Sequence, residues 1–411
     1  MIKRRRYKKI QTVGKVIFSF VIALLIFFLY YFFFNIISGE RAAYHSKDKT
    51  EDVANDEKTL PIKVIHLETP DEVRSIYATA CAVATPSFRK RIKHILDTTD
   101  INSIVIDVKD FSGTVQFIPH NKPHKTKDAD GCVIKNLREY LHELHERGIY
   151  TIARVTVFQD PYFATRNPHL AVQKESDKSV WKDNKGLSFV DPLAAVFWQY
   201  IVEIAVDAYN EGFDEINFDY IRFPSDGDLS DVYYPLSESR VSQDPDFGKA
   251  EVIEDFFKYI NDEMRKKRNI PTSADIFGQA AVNTDDLNIG QVLEKALPYF
   301  DAIALMLYPS HFLPNFAGIP DPNRQPGKVI EHSLSVAKIR AVEAGYGAKN
   351  LRSWVQDFDY PVAYGKDKVV AQIDAIDDAS VGGFMVWDPS VRYTPTAFAG
   401  SQKVNKKGVE N

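Results

Sequence analysis

The stretch EINFDYIRFPSDG, residues 215–227, changes character within a few positions. Its first half alternates apolar and polar residues, which is the pattern of a β-strand with one buried face. Its second half contains a proline and a glycine, which are typical of a loop. Asp219, Tyr220 and Arg222 lie where the two halves meet. Polar side chains therefore collect where this strand ends, and their meaning depends on where the strand lies in the fold.

Short β-branched runs alternate with amphipathic helical patterns from residue 73 onward, which predicts βα units around a parallel sheet. Eight strands are predicted, at residues 73–83, 103–110, 150–158, 216–220, 272–278, 302–311, 351–359 and 382–390. Eight is the number that closes a (β/α)8 TIM barrel. A doubly wound open sheet is the alternative, but it requires a glycine-rich turn after the first strand, and residues 78–87 contain no glycine. We therefore predict an α/β fold of the TIM-barrel class.

The first 37 residues differ from the rest in composition. Residues 1–15 contain seven Lys or Arg and no acidic residue, and residues 16–37 form an uncharged apolar run. The run has about the length of ~20 residues that crosses a bilayer, and it exceeds the ~7–15-residue apolar region of a cleavable signal peptide. We predict an uncleaved, single-pass transmembrane anchor, with the N-terminus in the cytoplasm and the remainder outside.

Three further segments follow the predicted anchor. They are a charged flexible linker over residues 38–70, the barrel domain over 71–395 and a polar C-terminal tail over 396–411. When the seven positive charges of the N-terminus are subtracted from the net charge of −5, residues 16–411 carry −12. Such an acidic domain is a poor binder of nucleic acid, so no nucleic-acid partner is expected.

The two cysteines, Cys81 and Cys132, offer no disulfide framework and no zinc-ligand spacing. A disulfide is permitted outside the cytoplasm, but the sequence favours two small buried residues. The predicted strand ends also lack paired histidines, which weakens the case for a metal-dependent hydrolase. Neither a metal nor a cofactor is predicted.

Polar and aromatic residues follow seven of the predicted strands, at the end of the barrel where TIM-barrel active sites lie. From the second strand to the eighth they are Asp107, Lys109, Asp110, Arg154, Gln159, Asp160, Asp219, Tyr220, Arg222, Asp275, Tyr308, His311, Trp354, Gln356, Asp357, Trp387 and Asp388. This mixture suits hydrolysis of sugar polymers. Two carboxyl groups flank the scissile bond in that reaction, and aromatic rings pack against the apolar faces of sugars.

Asp219 and Asp275 are the predicted catalytic pair because they end neighbouring strands. Asp219 would act as nucleophile or base and Asp275 as acid. Arg222 is expected to keep one carboxylate ionised, so that the other can take the raised pKa of a general acid. The distance between the two carboxyl groups would decide between retention and inversion, and the sequence leaves that choice open.

Eleven of the remaining strand-end residues are predicted to bind the substrate. They are Asp107, Lys109, Arg154, Tyr220, Arg222, Tyr308, His311, Trp354, Gln356, Trp387 and Asp388. Taken singly, Asp107 and Asp388 also suit strand-end turns, and Arg154 suits a structural ion pair with an inward-facing acid.

The motifs IVIDVKDFSG, GFDEINFDYIRFPSDG, SADIFG, LYPSHF, WVQDF and VWDPS occur in this order. In order and content they resemble a bacterial family of glycoside hydrolases with a TIM-barrel domain, distantly related to the α-amylase-like barrels. The resemblance covers about residues 73–395 and implies a barrel that hydrolyses O-glycosyl bonds. In α-amylase-like barrels an Arg lies two residues before the fourth-strand Asp and the fifth-strand acid is Glu. Asn217 and Asp275 occupy those positions here, so the resemblance does not imply α-amylase-type retention.

The sequence therefore predicts a membrane-anchored, extracytoplasmic glycoside hydrolase. Its predicted partner is a cell-surface or extracellular polysaccharide, which it cleaves by a two-carboxylate mechanism. The alternative is a non-catalytic carbohydrate-binding or envelope-assembly protein on the same scaffold.

Overall fold

The computed structural model describes residues 62–119 and 132–399. Eight parallel strands form a closed barrel in chain order, and the last strand pairs with the first. They are β1 Val73–Ala78, β2 Ser103–Lys109, β3 Tyr150–Thr156, β4 Glu215–Asp219, β5 Thr272–Phe277, β6 Ala302–Met306, β7 Leu351–Gln356 and β8 Gly383–Trp387. The predicted TIM barrel is confirmed. All eight predicted strands run one to five residues past the observed carboxyl ends.

Helices connect consecutive strands on the outside of the barrel. They are α1 Ala80–Ala84, α2 Pro86–Thr98, α3 Leu137–His145, α4 Pro161–Arg166, α5 Ala195–Glu211, α6 Glu238–Gln243, α7 Gly248–Ile260, α8 Leu293–Ala296, α9 Pro326–Glu343 and α10 Lys366–Ala379. A π-helical segment, Asn261–Lys266, continues α7. Two short strands, Gln173–Lys174 and Val232–Tyr233, pair in antiparallel fashion in the loops beyond β3 and β4.

Helix α5 begins four residues after Asp191 and receives no cap from it. The Asp191 carboxylate accepts hydrogen bonds from the backbone N–H of Leu193 at 3.0 Å and of Leu236 at 2.9 Å. The side chain therefore joins two loops rather than capping a helix. A long-range partner of this kind leaves no trace in the local sequence.

Apolar side chains fill two separate regions. The larger lies between the strands and the helices. The smaller fills the interior of the barrel and consists of Val73, Tyr77, Val105, Tyr150, Ile152, Ala304, Tyr308, Trp354 and Met385. Because alternate residues of a strand face the same side, the polar residues at positions 107, 154, 219 and 275 also face this interior.

Residues 62–72 pack against the amino-terminal end of the barrel. The backbone N–H of Leu67 donates to Asp214 at 2.7 Å, and the hydroxyl groups of Thr69 and Tyr150 lie 2.9 Å apart. The His66 ring stacks on Tyr209 at 3.9 Å. The last part of the predicted linker is thus packed on the domain that follows it.

The predicted cytoplasmic segment and transmembrane anchor lie outside the described residues, together with residues 38–61 of the linker and 400–411 of the tail. Within the part of the chain that is described, no helix is long and apolar enough to cross a membrane.

Cys81 and Cys132 form a disulfide, so their prediction as two small buried residues was wrong. Cys81 is exposed in α1 and Cys132 is half-buried in the loop after β2. The barrel brings the loops after β1 and β2 side by side, which places the two Cα atoms 4.8 Å apart. The count and spacing of two cysteines separated by 51 positions carry no sign of this proximity.

Candidate active site

One guanidinium group lies among three carboxyl groups at the carboxyl ends of β2 to β5. Arg154 donates from Nη1 to Oδ1 of Asp107 at 2.6 Å and from Nε to Oδ2 of Asp219 at 3.1 Å. Its Nη2 donates to the same oxygen of Asp219. Oδ2 of Asp275 lies 3.9 Å from the Arg154 Nε. These four residues, all among the predicted site residues, form the carboxylate cluster.

The strand register explains why these side chains meet. Asp107 is the register partner of Arg154 on the next strand, and Arg154 is the partner of Asn217. Asp219 lies two residues beyond Asn217 and therefore points to the same side. The same parity brings Asp275 into the barrel beyond Ser273, the register partner of Asn217.

Arg154, rather than the predicted Arg222, is the arginine that contacts the carboxyl groups. Burial disfavours its charge, but Asp107 and Asp219 outweigh burial and raise the pKa of Arg154. Arg222 instead donates to the carbonyl of Phe223 at 2.9 Å and lies 4.8 Å from the centre of the Phe277 ring. Its guanidinium is thus buried among aromatic rings beside the site, and burial lowers its pKa.

Asp275 is enclosed by neutral donors. Its Oδ1 accepts hydrogen bonds from Nδ2 of Asn217 at 2.9 Å and from Nε1 of Trp354 at 2.8 Å. The side chain is 1% exposed. Burial raises the pKa of Asp275 well above its ordinary value, and the negative charge of Asp219 raises it further. Asp275 is therefore suited to hold a proton.

Asp219 is held by charged and backbone donors. Arg154 occupies Oδ2, and the backbone N–H of Tyr220 donates to Oδ1 at 2.5 Å. Tyr220 has a φ of +53°, an uncommon value for a residue with a side chain. This turn directs the N–H back to Asp219, and strained conformations of this kind concentrate at functional sites.

Tyr77 on β1 is a member of the site that sequence reasoning missed. Its hydroxyl donates to Oδ2 of Asp107, and its ring lies edge-on to Trp354 at 6.4 Å. Burial raises the pKa of Tyr77 well above its ordinary value, so the phenol stays protonated. The predicted first strand extends five residues beyond the observed β1. Tyr77 therefore lies in the middle of the predicted strand, and the sequence does not indicate that it is a strand-end residue.

Aromatic rings form a wall beside the carboxylate cluster. Tyr308 lies 5.1 Å from Trp387 and 5.1 Å from His311, measured between ring centres. Phe358, which sequence reasoning missed, lies 5.0 Å from Trp387. Tyr308 is buried, whereas Phe358 and Trp387 are half-buried and His311 is exposed. We call Tyr308, His311, Phe358 and Trp387 the aromatic wall.

The wall and the cluster together are the arrangement expected for saccharide chemistry, and comparison with known families agrees. A family model described as "Putative glycosyl hydrolase domain" matches residues 75–393. The chain belongs to this family. The match covers the barrel from β1 to the loop beyond β8, and the predicted activity, hydrolysis of glycosidic bonds, is confirmed at the level of the family.

Solved structures share the fold of this glycosyl hydrolase domain. The PgaB (BpsB) glycoside hydrolase domain from Bordetella bronchiseptica is 14% identical, with a TM-score of 0.58 over 80% of this chain and 99% of that chain. Alpha-L-fucosidase isoenzyme 2 from Paenibacillus thiaminolyticus is 13% identical, with a TM-score of 0.51 over 80% of this chain and 48% of that one. At these identities the likeness shows the fold alone. No curated protein sequence matches the chain.

Lys109 does not reach the site of the glycosyl hydrolase domain, contrary to the predicted substrate contact. A register shift between Asp107 and Lys109 turns its side chain toward the helical layer. Its ammonium donates to the carbonyl of Thr156 at 2.6 Å and lies 3.1 Å from Asp160. Both charged side chains are fully buried, so Lys109 is part of a structural ion pair.

Two other predicted contacts are engaged in holding loops. Oε1 of Gln356 accepts a hydrogen bond from the backbone N–H of Ser310 at 3.3 Å, and its Nε2 donates to the carbonyls of Phe358 and Tyr360. Asp388 accepts from the backbone N–H of Ser390 at 2.6 Å and from its hydroxyl at 2.7 Å. Trp354, predicted to bind substrate, is 2% exposed and acts as a hydrogen-bond donor to Asp275.

A cavity of about 1310 Å³ opens at the opposite, amino-terminal face of the barrel, with Thr69, Arg74, Asn102, Asp301 and Lys349 among its lining residues. TIM-barrel chemistry occurs at the carboxyl face, so we assign no catalytic role to this cavity. Within residues 62–119 and 132–399, no group of three or more His, Cys, Asp or Glu side chains is arranged to hold a metal ion.

Proposed function

We propose that this domain hydrolyses a cell-surface or extracellular polysaccharide with Asp275 as general acid and Asp219 as nucleophile or general base. The contrast between the two carboxyl groups supports this assignment. Asp275 is buried among neutral donors with a raised pKa, whereas Asp219 is paired with the Arg154 guanidinium. Two neighbouring carboxyl groups with divergent environments are the usual basis for dividing acid and base roles.

The proposed reaction begins when Asp275 donates its proton to the leaving glycosidic oxygen. The carboxylate of Asp219 then either attacks the anomeric carbon or removes a proton from the attacking water. Positive charge develops on the sugar ring in both cases, and the negative charge of Asp219 stabilises it. Arg154 positions Asp219 and Asp107 relative to each other through hydrogen bonds to both.

The aromatic wall is the proposed platform for the sugar. Half-buried Trp387 and Phe358 present ring surface beside the cluster, and sugars pack their apolar faces against such rings. The Tyr308 ring packs against Trp387, and the pKa of Tyr308 is raised by burial and by the negative charges of Asp275 and Asp219. The phenol therefore stays neutral and can donate a hydrogen bond to a sugar hydroxyl.

We also propose that the domain is tethered to the cell membrane and faces outward. The apolar run over residues 16–37 and the basic residues before it motivate the anchor. The Cys81–Cys132 disulfide supports an oxidising compartment. Digestion of the barrel by a protease added to intact cells would test this proposal. A barrel that is digested only after the cells are lysed would contradict it.

Substitution of each acid tests the catalytic proposal. Asp219→Asn and Asp275→Asn are expected to lower kcat by about 10²–10⁴ on a polysaccharide that the wild-type protein cleaves, because each removes one acid–base function. Glu72→Gln is the matched control, since Glu72 is a half-exposed carboxylate at the amino-terminal face, paired with Arg74 and Lys349. The measurement is reducing-end release from a broad glycan panel.

Two results would count against the proposal. Wild-type activity in both Asp→Asn variants would exclude Asp219 and Asp275 as the pair. Glycan binding without turnover by the wild-type protein on every member of the panel would favour the non-catalytic alternative.

A further inference from the structure

We propose that Asn217 and Trp354 are positioning residues that confine the proton of Asp275 to its Oδ2 atom, on the side of Arg154 and Asp219. This inference rests on the proposed function, because it concerns the proton that the general acid delivers. Neither residue needs to touch the substrate.

Both donors converge on one oxygen. Nδ2 of Asn217 lies 2.9 Å and Nε1 of Trp354 lies 2.8 Å from Oδ1 of Asp275. The indole N–H and the amide NH2 can only donate. A proton on Oδ1 would point at N–H groups that cannot accept it, whereas at Oδ2 the nearest cationic nitrogen, Nε of Arg154, lies 3.9 Å away, beyond hydrogen-bond distance. The carboxyl proton is therefore stable on Oδ2 and unstable on Oδ1.

The orientation of the Asn217 amide follows from a chain of buried hydrogen bonds. Oε1 of Glu215 accepts from Nη1 of Arg352 at 2.6 Å and from the hydroxyl of Ser273 at 2.6 Å. The single hydroxyl proton of Ser273 is thus committed to Glu215, and its oxygen can only accept from Asn217, at 3.0 Å. The amide nitrogen must face Ser273.

This orientation leaves the second N–H of Asn217 for Asp275. Because one amide nitrogen carries two protons, it donates one to Ser273 and the other to Oδ1 of Asp275. The buried Oδ1 of Asn217 has no hydrogen-bond partner among the described residues. A reversed amide would place its oxygen, rather than an N–H donor, against Asp275. The observed orientation therefore gives Asp275 a donor and leaves the amide oxygen of Asn217 without a partner among the described residues.

Trp354 is held rigidly for the same task. It is 2% exposed on β7, and the ring of Tyr77 packs against it at 6.4 Å. Its indole therefore keeps its N–H on Asp275 without competition from water. The two donors come from strands β4 and β7, and Asp275 comes from β5, so the barrel sets the geometry.

Removal of either donor has two separate consequences. The proton gains access to Oδ1, from which it cannot reach the leaving oxygen, so acid catalysis weakens. Each donated hydrogen bond also favours the ionised form of Asp275, so its loss raises the pKa of Asp275. The alkaline limb of the pH–rate profile should therefore move to higher pH while the maximal rate falls.

Trp354→Phe removes the N–H and keeps an aromatic ring. On aryl glycosides of the sugar that the wild-type protein cleaves, we expect about a tenfold lower kcat for weakly acidic leaving phenols, a fraction of the 10²–10⁴ that general acid catalysis supplies. Strongly acidic leaving phenols need no protonation and should react at nearly the wild-type rate. Asn217→Ala is the second variant, should Trp354→Phe fail to fold.

Trp198→Phe is the matched control, because the indole of Trp198 donates to the carbonyl of Pro192 on the outside of the barrel. Equal losses on both classes of phenol, with an unshifted alkaline limb, would reduce Asn217 and Trp354 to structural residues and overturn the inference. An Asp275→Asn variant with undiminished activity on weakly acidic leaving phenols would instead overturn the proposed function. The two failures are therefore distinguishable.

Discussion

A single arginine organises the site at the scale of the residue. Arg154 contacts Asp107 and Asp219 simultaneously through different nitrogens, which only a planar guanidinium can do. Asp275 is close to the same group but receives its hydrogen bonds from neutral donors. The three carboxyl groups are thus chemically unequal although they crowd one end of the barrel.

Arg154→Lys tests this organisation. The ammonium keeps the charge but cannot bridge both carboxylates, so we expect at least a tenfold fall in kcat/KM with the fold retained. Arg222→Lys should have a smaller effect, since Arg222 contacts the Phe223 carbonyl rather than a carboxylate. Steady-state kinetics and circular dichroism would make the comparison. A larger loss in Arg222→Lys would restore the role that the sequence predicts for Arg222.

Asp357 provides a prediction on pH and stability. Its carboxylate accepts from the backbone N–H and hydroxyl of Thr394, yet burial dominates and raises its pKa to about 7. The unfolded chain loses this proton near the ordinary value of 3.8, whereas the folded protein keeps it. The unfolded state therefore binds fewer protons between pH 4 and 7, and the contribution of Asp357 to stability falls as pH rises through that window.

Asp357→Asn should lessen this fall. Urea denaturation at pH 5 and pH 8 would give the difference in the free energy of unfolding for both proteins. We expect a smaller difference in the variant, and an unchanged difference would show that Asp357 ionises normally in the folded protein.

At the scale of the element, a disulfide joins the segments that follow the adjacent strands β1 and β2. The disulfide links α1, after β1, to the loop after β2. Those strands carry Tyr77 and Asp107, which are hydrogen-bonded to each other. The bridge therefore joins two loops that lie directly beyond two residues of the site.

The Cys81→Ser, Cys132→Ser double variant should be less stable by about 2–4 kcal/mol, because the bridge closes a long loop and restricts the unfolded chain. Thermal unfolding with and without a reducing agent would measure this. The wild-type melting temperature should fall in the reducing agent and that of the variant should not. Equal melting temperatures for wild type and variant under oxidising conditions would contradict the expectation.

At the scale of the whole molecule, residues 62–72 complete the barrel at its amino-terminal end, opposite the site. Leu67 packs against the apolar interior of the barrel, and its backbone N–H binds Asp214. The chain thus enters the domain at one end of the barrel, while its carboxylate cluster lies at the other.

Two shortened proteins would test the contribution of this segment. A chain that begins at residue 62 should keep the stability of the full domain, whereas one that begins at residue 71 loses the half-buried Leu67. We expect it to be destabilised by up to roughly 1.5–3 kcal/mol, the value for full burial of one leucine. Urea denaturation of both proteins measures the difference. Equal stability would show that residues 62–70 merely lie on the surface.

The sequence predicts a site residue well where local strand pattern places it, and poorly where its partner is distant in the chain. Asp219 and Asp275 are apparent as strand-end acids because strand periodicity and chain position reveal them. Lys109 has the same local pattern, yet a register shift directs it away from the interior. Gln356 and Asp388 also end strands, but their partners are loop backbones that only the folded chain brings near.

The sequence by itself determined the eight-stranded barrel and the end at which polar residues collect, because the periods of strand and helix are local properties of the chain. Only the tertiary structure decided that Arg154 rather than Arg222 binds the carboxylates, that Cys81 and Cys132 meet, and that Asp275 is enclosed by neutral donors. These outcomes depend on the register between strands and on the direction of each side chain at the rim, which arise from closure of the barrel as a whole.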